Sequence, residues 1–120
     1  MKAIVTGGAG FIGSHLVDTL LGEGVSVTVL DNFSTGRPEN LDHIKDQIKL
    51  IECDISKAGI WEKEFDGANW VIHLAALADI VPSINDPEAY FHANVVGTLN
   101  VLQASKKYKI KRFIYSASSS

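Results

Sequence analysis

The sequence is poor in sulfur and has no long apolar run. Its single cysteine, Cys53, cannot close an intramolecular disulfide, which excludes the disulfide-stapled secreted scaffolds. The longest apolar stretch, Trp70 to Pro82, is broken by His73 and Asp79. It falls short of the roughly 20 residues that a membrane-spanning helix needs, so no membrane partner is expected. Met1 and Lys2 lead straight into a strand-like run, without the apolar segment and cleavage site of a secretory signal, so a reducing cytoplasm is the expected compartment. An excess of one charge is missing as well. Eleven basic residues stand against fourteen acidic ones, and only Lys106 to Arg112 gathers basic side chains. No general field exists to hold a polyanion, and nucleic acid is not an expected partner. No His, Cys, Asp or Glu grouping has metal-ligand spacing, and neither an internal repeat nor a linker is visible. What is present is 120 residues of 46% hydrophobic content and net charge −3, enough to bury a core in an ordinary globular chain.

Periodicity orders the elements. Lys2 to Thr6 is a short apolar run ended by glycines, as expected for a strand covered on both faces. Ile12, Leu16 and Leu20, with Val17 and Leu21 beside them, recur at helical intervals until Gly22 and Gly24 stop the pattern. Val25 to Leu30 reads as a second strand, followed by a polar stretch, Asp31 to Asn40, that carries turn formers and a proline. Lys49 to Glu52 predicts a third strand, Ile60 to Phe65 a helical segment, and Trp70 to Leu74 a fourth strand. Asp86-Pro87-Glu88 is a helix start, with a capping oxygen, a proline where no amide proton is needed and an acid at the positive end of the dipole. The helix is expected to run to about Lys107 with Phe91, Val95, Leu99 and Leu102 as its apolar face. Arg112 to Ser116 closes the series as a fifth strand. This alternation predicts an α/β fold: a doubly wound parallel sheet, Rossmann-like, of five strands in order 3-2-1-4-5 with helices on both faces. Ligands of such a sheet bind at the carboxyl ends of the strands, where the order reverses between strands one and four.

After strand one stands Thr6-Gly7-Gly8-Ala9-Gly10-Phe11-Ile12-Gly13, which meets the G-x-G-x-x-G spacing between a strand and a helix. That context allows a tight turn, close approach of backbone to a pyrophosphate, and free amides at the positive end of a helix. A glycine-rich turn without a ligand is the plainer reading, and a P-loop is excluded because no Gly-Lys-Ser or Gly-Lys-Thr follows. Asp31 closes strand two, 18 residues after Gly13, where a carboxylate can accept hydrogen bonds from an adenosine ribose diol and would repel a 2′-phosphate. This favours NAD over NADP, although Arg37 could tolerate the phosphate; a simple turn cap is the alternative role for Asp31. Asp54 and Ile55 stand where a carboxylate could reach an adenine amino group while an apolar side chain covers the ring, or where a turn needs an aspartate. Asn94 shares a helix face with Phe91, Val95 and Leu102, so its amide must be satisfied by a ligand or by a structural network. His73 is expected as a packed histidine bonded to backbone rather than a base, and Trp61, Phe65 and Trp70 as core. The serine run Ser116 to Ser120 is either a polar strand exit or part of an active site.

Taken together, Thr6 to Gly13, Asp31-Asn32-Phe33-Ser34-Thr35-Gly36, Asp54-Ile55, His73-Leu74-Ala75-Ala76 and Arg112 to Ser120 resemble the extended short-chain dehydrogenase/reductases. Within them the chain is most similar to the NAD-dependent sugar-nucleotide epimerases and dehydratases, with the UDP-glucose 4-epimerase type nearest. The resemblance implies that NAD is the cofactor, with its pyrophosphate on Gly7, Gly10, Phe11, Ile12 and Gly13. It places the adenosine ribose on Asp31, Asn32, Ser34, Thr35 and Gly36, and the adenine on Asp54 and Ile55. Leu74, Ala75, Ala76 and Ala78 would line the nicotinamide side, with Asn94 reaching in, and Ser118 would be the active-site hydroxyl that binds the sugar. A nucleotide sugar as substrate and a homodimeric full-length form are also implied.

That family's chemistry uses a Tyr-x-x-x-Lys pair beyond strand five. Four residues after Tyr90, Tyr108 and Tyr115 stand Asn94, Arg112 and Ser119, none of them lysine. Residues 1–120 are therefore expected to be the NAD-binding part of an enzyme, truncated before the catalytic pair and the substrate domain. Two readings stay open: a sugar-nucleotide 4-epimerase or dehydratase represented by its cofactor half, and a dinucleotide-binding module without catalysis.

Overall fold

The computed structural model describes residues 1–118. The strands are β1 (Lys2–Thr6), β2 (Ser26–Asp31), β3 (Lys49–Glu52), β4 (Trp70–His73) and β5 (Arg112–Tyr115). They form one parallel sheet in the order β3-β2-β1-β4-β5. Helix α1 (Phe11–Gly22) joins β1 to β2, a 3₁₀ helix (Pro38–Ile44) joins β2 to β3, and a second 3₁₀ helix (Ile60–Phe65) lies between β3 and β4. Between β4 and β5 stand a short helix α2 (Ile80–Asn85), α3 (Pro87–Phe91), a π-helical turn (His92–Val96) and α4 (Gly97–Lys107). Asp86 caps α3, its carboxylate accepting from the Ala89 amide at 3.2 Å, with Pro87 in the first turn.

Alternation along the strands splits the core into two layers. Ala3 and Val5 of β1 point, with Val27 and Val29 of β2, toward Val17 and Leu20 of α1 and toward Leu41 and Ile44 of the first 3₁₀ helix. Ile4, Leu30 and Val71 point the other way, toward Trp61 and Phe65 of the second 3₁₀ helix and Val101 and Ala104 of α4. Helices therefore cover both faces, as a parallel sheet of apolar strands requires.

The buried face of the helical stretch from α3 through the π-helical turn to α4 differs from the sequence-based expectation. Phe91, Val95, Leu99 and Leu102 are 43–54% exposed. The buried stripe is Gly97, Val101, Ala104 and Ser105. Small residues win this contact because they let the helix backbone approach the layer beneath: a Cβ added at Gly97 would stand 3.2 Å from the side chain of Ile55, in the loop after β3. Two further elements carried no clear sequence signal. The polar stretch after β2 runs into the 3₁₀ helix at Pro38, and Ile80, Val81 and Ile84 of α2 are exposed despite their apolar character.

Candidate functional site

A cavity of about 350 Å³ opens at the carboxyl ends of the strands, where the connections that follow the parallel neighbours β1 and β4 leave for opposite faces of the sheet. It is lined by the glycine turn (Gly7, Gly10), the loop after β2 (Asp31, Asn32, Ser34, Thr35, Gly36), the loop after β3 (Cys53, Asp54, Ile55) and the loop after β4 (Leu74, Ala75, Ala76). Four chain segments far apart in sequence thus meet at one crevice.

The glycine turn is shaped by contacts that exclude side chains. Gly7 has φ +71°, and a Cβ there would stand 2.8 Å from the Ala75 amide nitrogen, so the turn lies backbone against backbone on the loop after β4. Gly13 in the first turn of α1 faces Gly8, whose Cα would be 2.7 Å from a Cβ added at Gly13. At Gly10 such a Cβ would meet only the Gly7 carbonyl oxygen, at 3.3 Å. Gly10 lines the cavity, so the remaining space about it is open to the crevice. Gly10 is also the N-cap of α1 and supplies no side-chain acceptor to the first-turn amides, which face an incoming anion at the positive end of the helix.

Asp31 joins this turn to the end of β2. Its Oδ2 accepts from the Ala9 amide at 2.9 Å and its Oδ1 from the Phe33 amide at 2.8 Å. Each carboxylate oxygen has two acceptor sites, so one on each is left over for a donor in the cavity. The turn-cap role and the ligand role are therefore compatible in one side chain. Asn32 accepts from the Ser34 amide at 3.0 Å and fixes the loop behind it.

At the β3 end, Asp54 is held by Ser56, whose amide and hydroxyl donate to its Oδ1 at 2.9 and 2.6 Å. The serine hydroxyl bond is the main reason that its carboxyl lies below the usual aspartate value. Cys53 lines the same end. Burial, with the charges of Asp31 and Asp54 adding to it, pushes its thiol up to about 11, so it remains protonated and is no nucleophile. Buried Ile55 offers an apolar wall beside them.

Some sequence-predicted site residues lie elsewhere. Phe11 and Ile12 have exposed side chains and do not line the cavity; what they and Gly13 can offer is backbone. Ala78 lies outside the lining. Asn94 also stands outside it, its amide gripping the peptide of Leu77: Oδ1 accepts from the Leu77 amide at 2.8 Å and Nδ2 donates to the Leu77 carbonyl at 2.9 Å. The structural network supplies its partners. Ser118 is exposed beyond β5, and Ser119 and Ser120 of the serine run lie outside the described residues. His73 is buried, but its partners are the hydroxyls of Thr6 and Thr98 rather than backbone. Of the lining residues that the sequence did not single out for the site, Leu77 extends the loop after β4, and Ala89, His92 and Ala93 close the cavity from α3 and the π-helical turn. Only the helix start at Asp86 could have signalled them. Among the described residues no group of three His, Cys, Asp or Glu side chains is placed to hold a metal, and no helix is long and apolar enough to cross a membrane.

Comparison with known proteins identifies the family and supports the fold. Residues 3–120 match the NAD dependent epimerase/dehydratase family. The chain is 40% identical to UDP-glucose 4-epimerase of Haemophilus influenzae over 124 residues, covering 98% of this chain and 37% of that protein. A UDP-glucose 4-epimerase from Thermotoga maritima, solved with UDP-glucose, superposes with a TM-score of 0.91 at 40% identity, covering 98% of this chain and 38% of that one. A dTDP-glucose 4,6-dehydratase from Streptomyces venezuelae, solved with NAD bound, has a TM-score of 0.87 at 33% identity, covering 94% of this chain and 38% of that one. The chain thus spans little more than a third of the length of these relatives.

Proposed function

The chain belongs to the NAD dependent epimerase/dehydratase family, and from that premise we propose that it is the cofactor-binding part of a sugar-nucleotide 4-epimerase of the UDP-glucose/UDP-galactose type. The observation that carries the cofactor assignment is Asp31: a carboxylate fixed by two amides, with acceptor capacity left over, at the mouth of a cavity that begins at a side-chain-free helix N-terminus. Such a group recognises the two hydroxyls of an adenosine ribose and repels a 2′-phosphate. The 40% identity to UDP-glucose 4-epimerases supports the choice of reaction.

The residues divide the work by position. Amides of the first turn of α1 take the pyrophosphate, with Gly10 leaving room for it. Asp31 orients the ribose, while Asp54 and Ile55 offer the adenine a polar edge and an apolar face. Leu74, Ala75 and Ala76 wall the nicotinamide end. Bound NAD supplies a hydride acceptor for the sugar C4–H and a donor for its return. Ser118 is placed by this reading as the hydroxyl that orients the sugar alcohol; a serine hydroxyl is too weak a base to be assigned the proton transfer. That proton transfer belongs to a Tyr-x-x-x-Lys pair that residues 1–120 do not contain.

The test has two stages. Calorimetric titration of the 120-residue chain with NAD and with NADP should show NAD bound preferentially; equal affinity for both removes the Asp31 argument. UDP-galactose and NAD are then incubated with this chain and with a longer protein that carries the same sequence. UDP-glucose should form only with the longer protein. Turnover by the 120 residues alone would overturn the mechanism, and a longer protein that instead dehydrates a nucleotide hexose would place it with the dehydratases.

A further inference from the structure

The cavity wall after β4 has no regular secondary structure from Leu74 to Asp79; the Leu74 amide reaches the Thr6 carbonyl at 3.1 Å, and side chains hold the Ala75 amide and both polar groups of the Leu77 backbone. We propose that Thr6, His73, Thr98 and Asn94 form one closed hydrogen-bond circuit that presets the wall Leu74–Leu77, with His73 as the positioning residue at its centre. The functional half of this inference rests on the cofactor reading above; the structural half does not.

The circuit can be followed atom by atom. Thr6 Oγ1 receives the amides of Leu74 and Ala75, each at 3.1 Å, and lies 2.7 Å from His73 Nδ1. His73 Nε2 lies 2.8 Å from Thr98 Oγ1. Thr98 donates to the carbonyl of Asn94, one turn back, at 2.6 Å. Asn94 then grips both polar groups of Leu77. The start and the end of the wall are therefore tied to the same chain of bonds, which runs from the end of β1 through β4 into the π-helical turn and α4.

One direction of proton donation satisfies every group of the circuit. A hydroxyl offers one donor and two acceptor sites. The Ala75 amide points at Thr6 Oγ1, and the Leu74 amide is shared between that hydroxyl and the Thr6 carbonyl, so in this direction Thr6 sends its own proton to His73 Nδ1 and that nitrogen is unprotonated. The neutral ring then carries its hydrogen on Nε2 and donates to Thr98, whose proton continues to the Asn94 carbonyl. The other tautomer would add the ring N–H to the amides already crowding Thr6 Oγ1 and take the Thr98 proton away from the Asn94 carbonyl. Tyr115 stacks on the His73 ring at 5.8 Å between centroids, with planes 21° apart, and fixes its orientation. Burial keeps the imidazole neutral, its pKa lowered to about 4.

Thr98 does not line the cavity, which makes it the place to cut the circuit without touching the ligand. Thr98→Val keeps the shape and removes the hydroxyl, and Thr98→Ser restores it. Three measurements on the 120-residue chain decide the matter. Nitrogen-15 spectra of labelled histidine should show His73 protonated on Nε2 alone. Amide hydrogen exchange at Ala75 and Leu77 should quicken in Thr98→Val relative to β1 amides, and return in Thr98→Ser. The dissociation constant for NAD should rise about three- to tenfold in Thr98→Val, the loss of one net hydrogen bond, with recovery in Thr98→Ser. An Nδ1-protonated His73, or exchange at Ala75 and Leu77 that is unchanged in Thr98→Val, overturns the circuit. Quickened exchange with an unchanged NAD constant overturns its role in binding. Absence of NAD binding by the unaltered chain would defeat the cofactor reading and with it the functional half, while the spectra and exchange rates still judge the circuit.

Discussion

Asp31 Oδ2 accepts a hydrogen bond from the Ala9 amide at 2.9 Å, so the acid that ends β2 also fastens the glycine turn that follows β1. One side chain thereby couples the proposed ribose and pyrophosphate sites, and its loss should be felt twice. Asp31→Ala is expected to weaken NAD binding by about 1–3 kcal/mol, the range for hydrogen bonds to a charged group. It should also lower stability, because the buried Ala9 amide loses its acceptor. Calorimetry with NAD and NADP should show the preference between them relaxed, and denaturant titration should show the fold weakened. A variant with unaltered NAD affinity would contradict the assignment.

The glycines of the turn should separate folding from binding. At Gly10 the surroundings of a Cβ are open apart from one carbonyl oxygen, so Gly10→Val should leave the unfolding midpoint nearly unchanged while abolishing NAD binding by steric exclusion. Gly13→Ala drives a methyl group into the Gly7–Gly8 backbone and should cost about 1–3 kcal/mol of stability through overpacking. Parallel denaturant and calorimetric titrations check both. The opposite ranking of the two variants would show that the cavity space does not lie where Gly10 points.

His73 predicts a pH dependence of stability. Its folded pKa, about 4, lies below the ordinary 6.5 because burial disfavours the charged ring. The unfolded chain therefore takes up the proton first. Stability from this group is fully present above about pH 6.5 and falls as the pH drops toward 4, by roughly 3 kcal/mol in all at 1.36 kcal/mol per pKa unit. Urea unfolding across that window should follow this decline, and His73→Gln should flatten it. Asp54, held below its usual value by Ser56, loses its contribution only at more acid pH, so the two groups act in separable ranges.

The two stripes of α4 predict unequal costs. Val101 is fully buried against the sheet, whereas Leu99 is half exposed. Val101→Ala should destabilise the chain by about 2 kcal/mol through lost burial and a residual cavity. Leu99→Gln should change stability by less than about 0.5 kcal/mol, as for a surface position. Equal losses for both, measured by urea unfolding, would mean that the helix packs on its larger side chains after all.

Much of the fold was legible in the residues themselves. Strand β1 stands where Ala3, Ile4 and Val5 put it, because a parallel strand buried on both faces needs an unbroken apolar run bounded by glycines. The start of α3 at Pro87 followed from the Asp86 cap, since capping depends on a few neighbouring atoms. The glycine turn and Asp31 were likewise local signals whose spacing matches what a pyrophosphate and a ribose require.

Whatever depended on one element meeting another had to wait for the tertiary structure. Side-chain size ranked Phe91, Val95, Leu99 and Leu102 as the buried face of the long helix. The sheet instead selected Gly97, Val101 and Ala104, because the distance between layers is set by backbone approach and not by hydrophobicity alone. The fate of the Asn94 amide could not be read from its helix position, since its partner, Leu77, lies in a loop of no regular pattern. His73 gave no hint of Thr6, 67 residues earlier, or of Thr98, 25 residues later. Sequence fixes what each segment can offer in burial, hydrogen bonds and turn geometry; which of those offers are accepted is decided by strands β1 and β4 lying side by side, a relation between distant residues that no local pattern encodes.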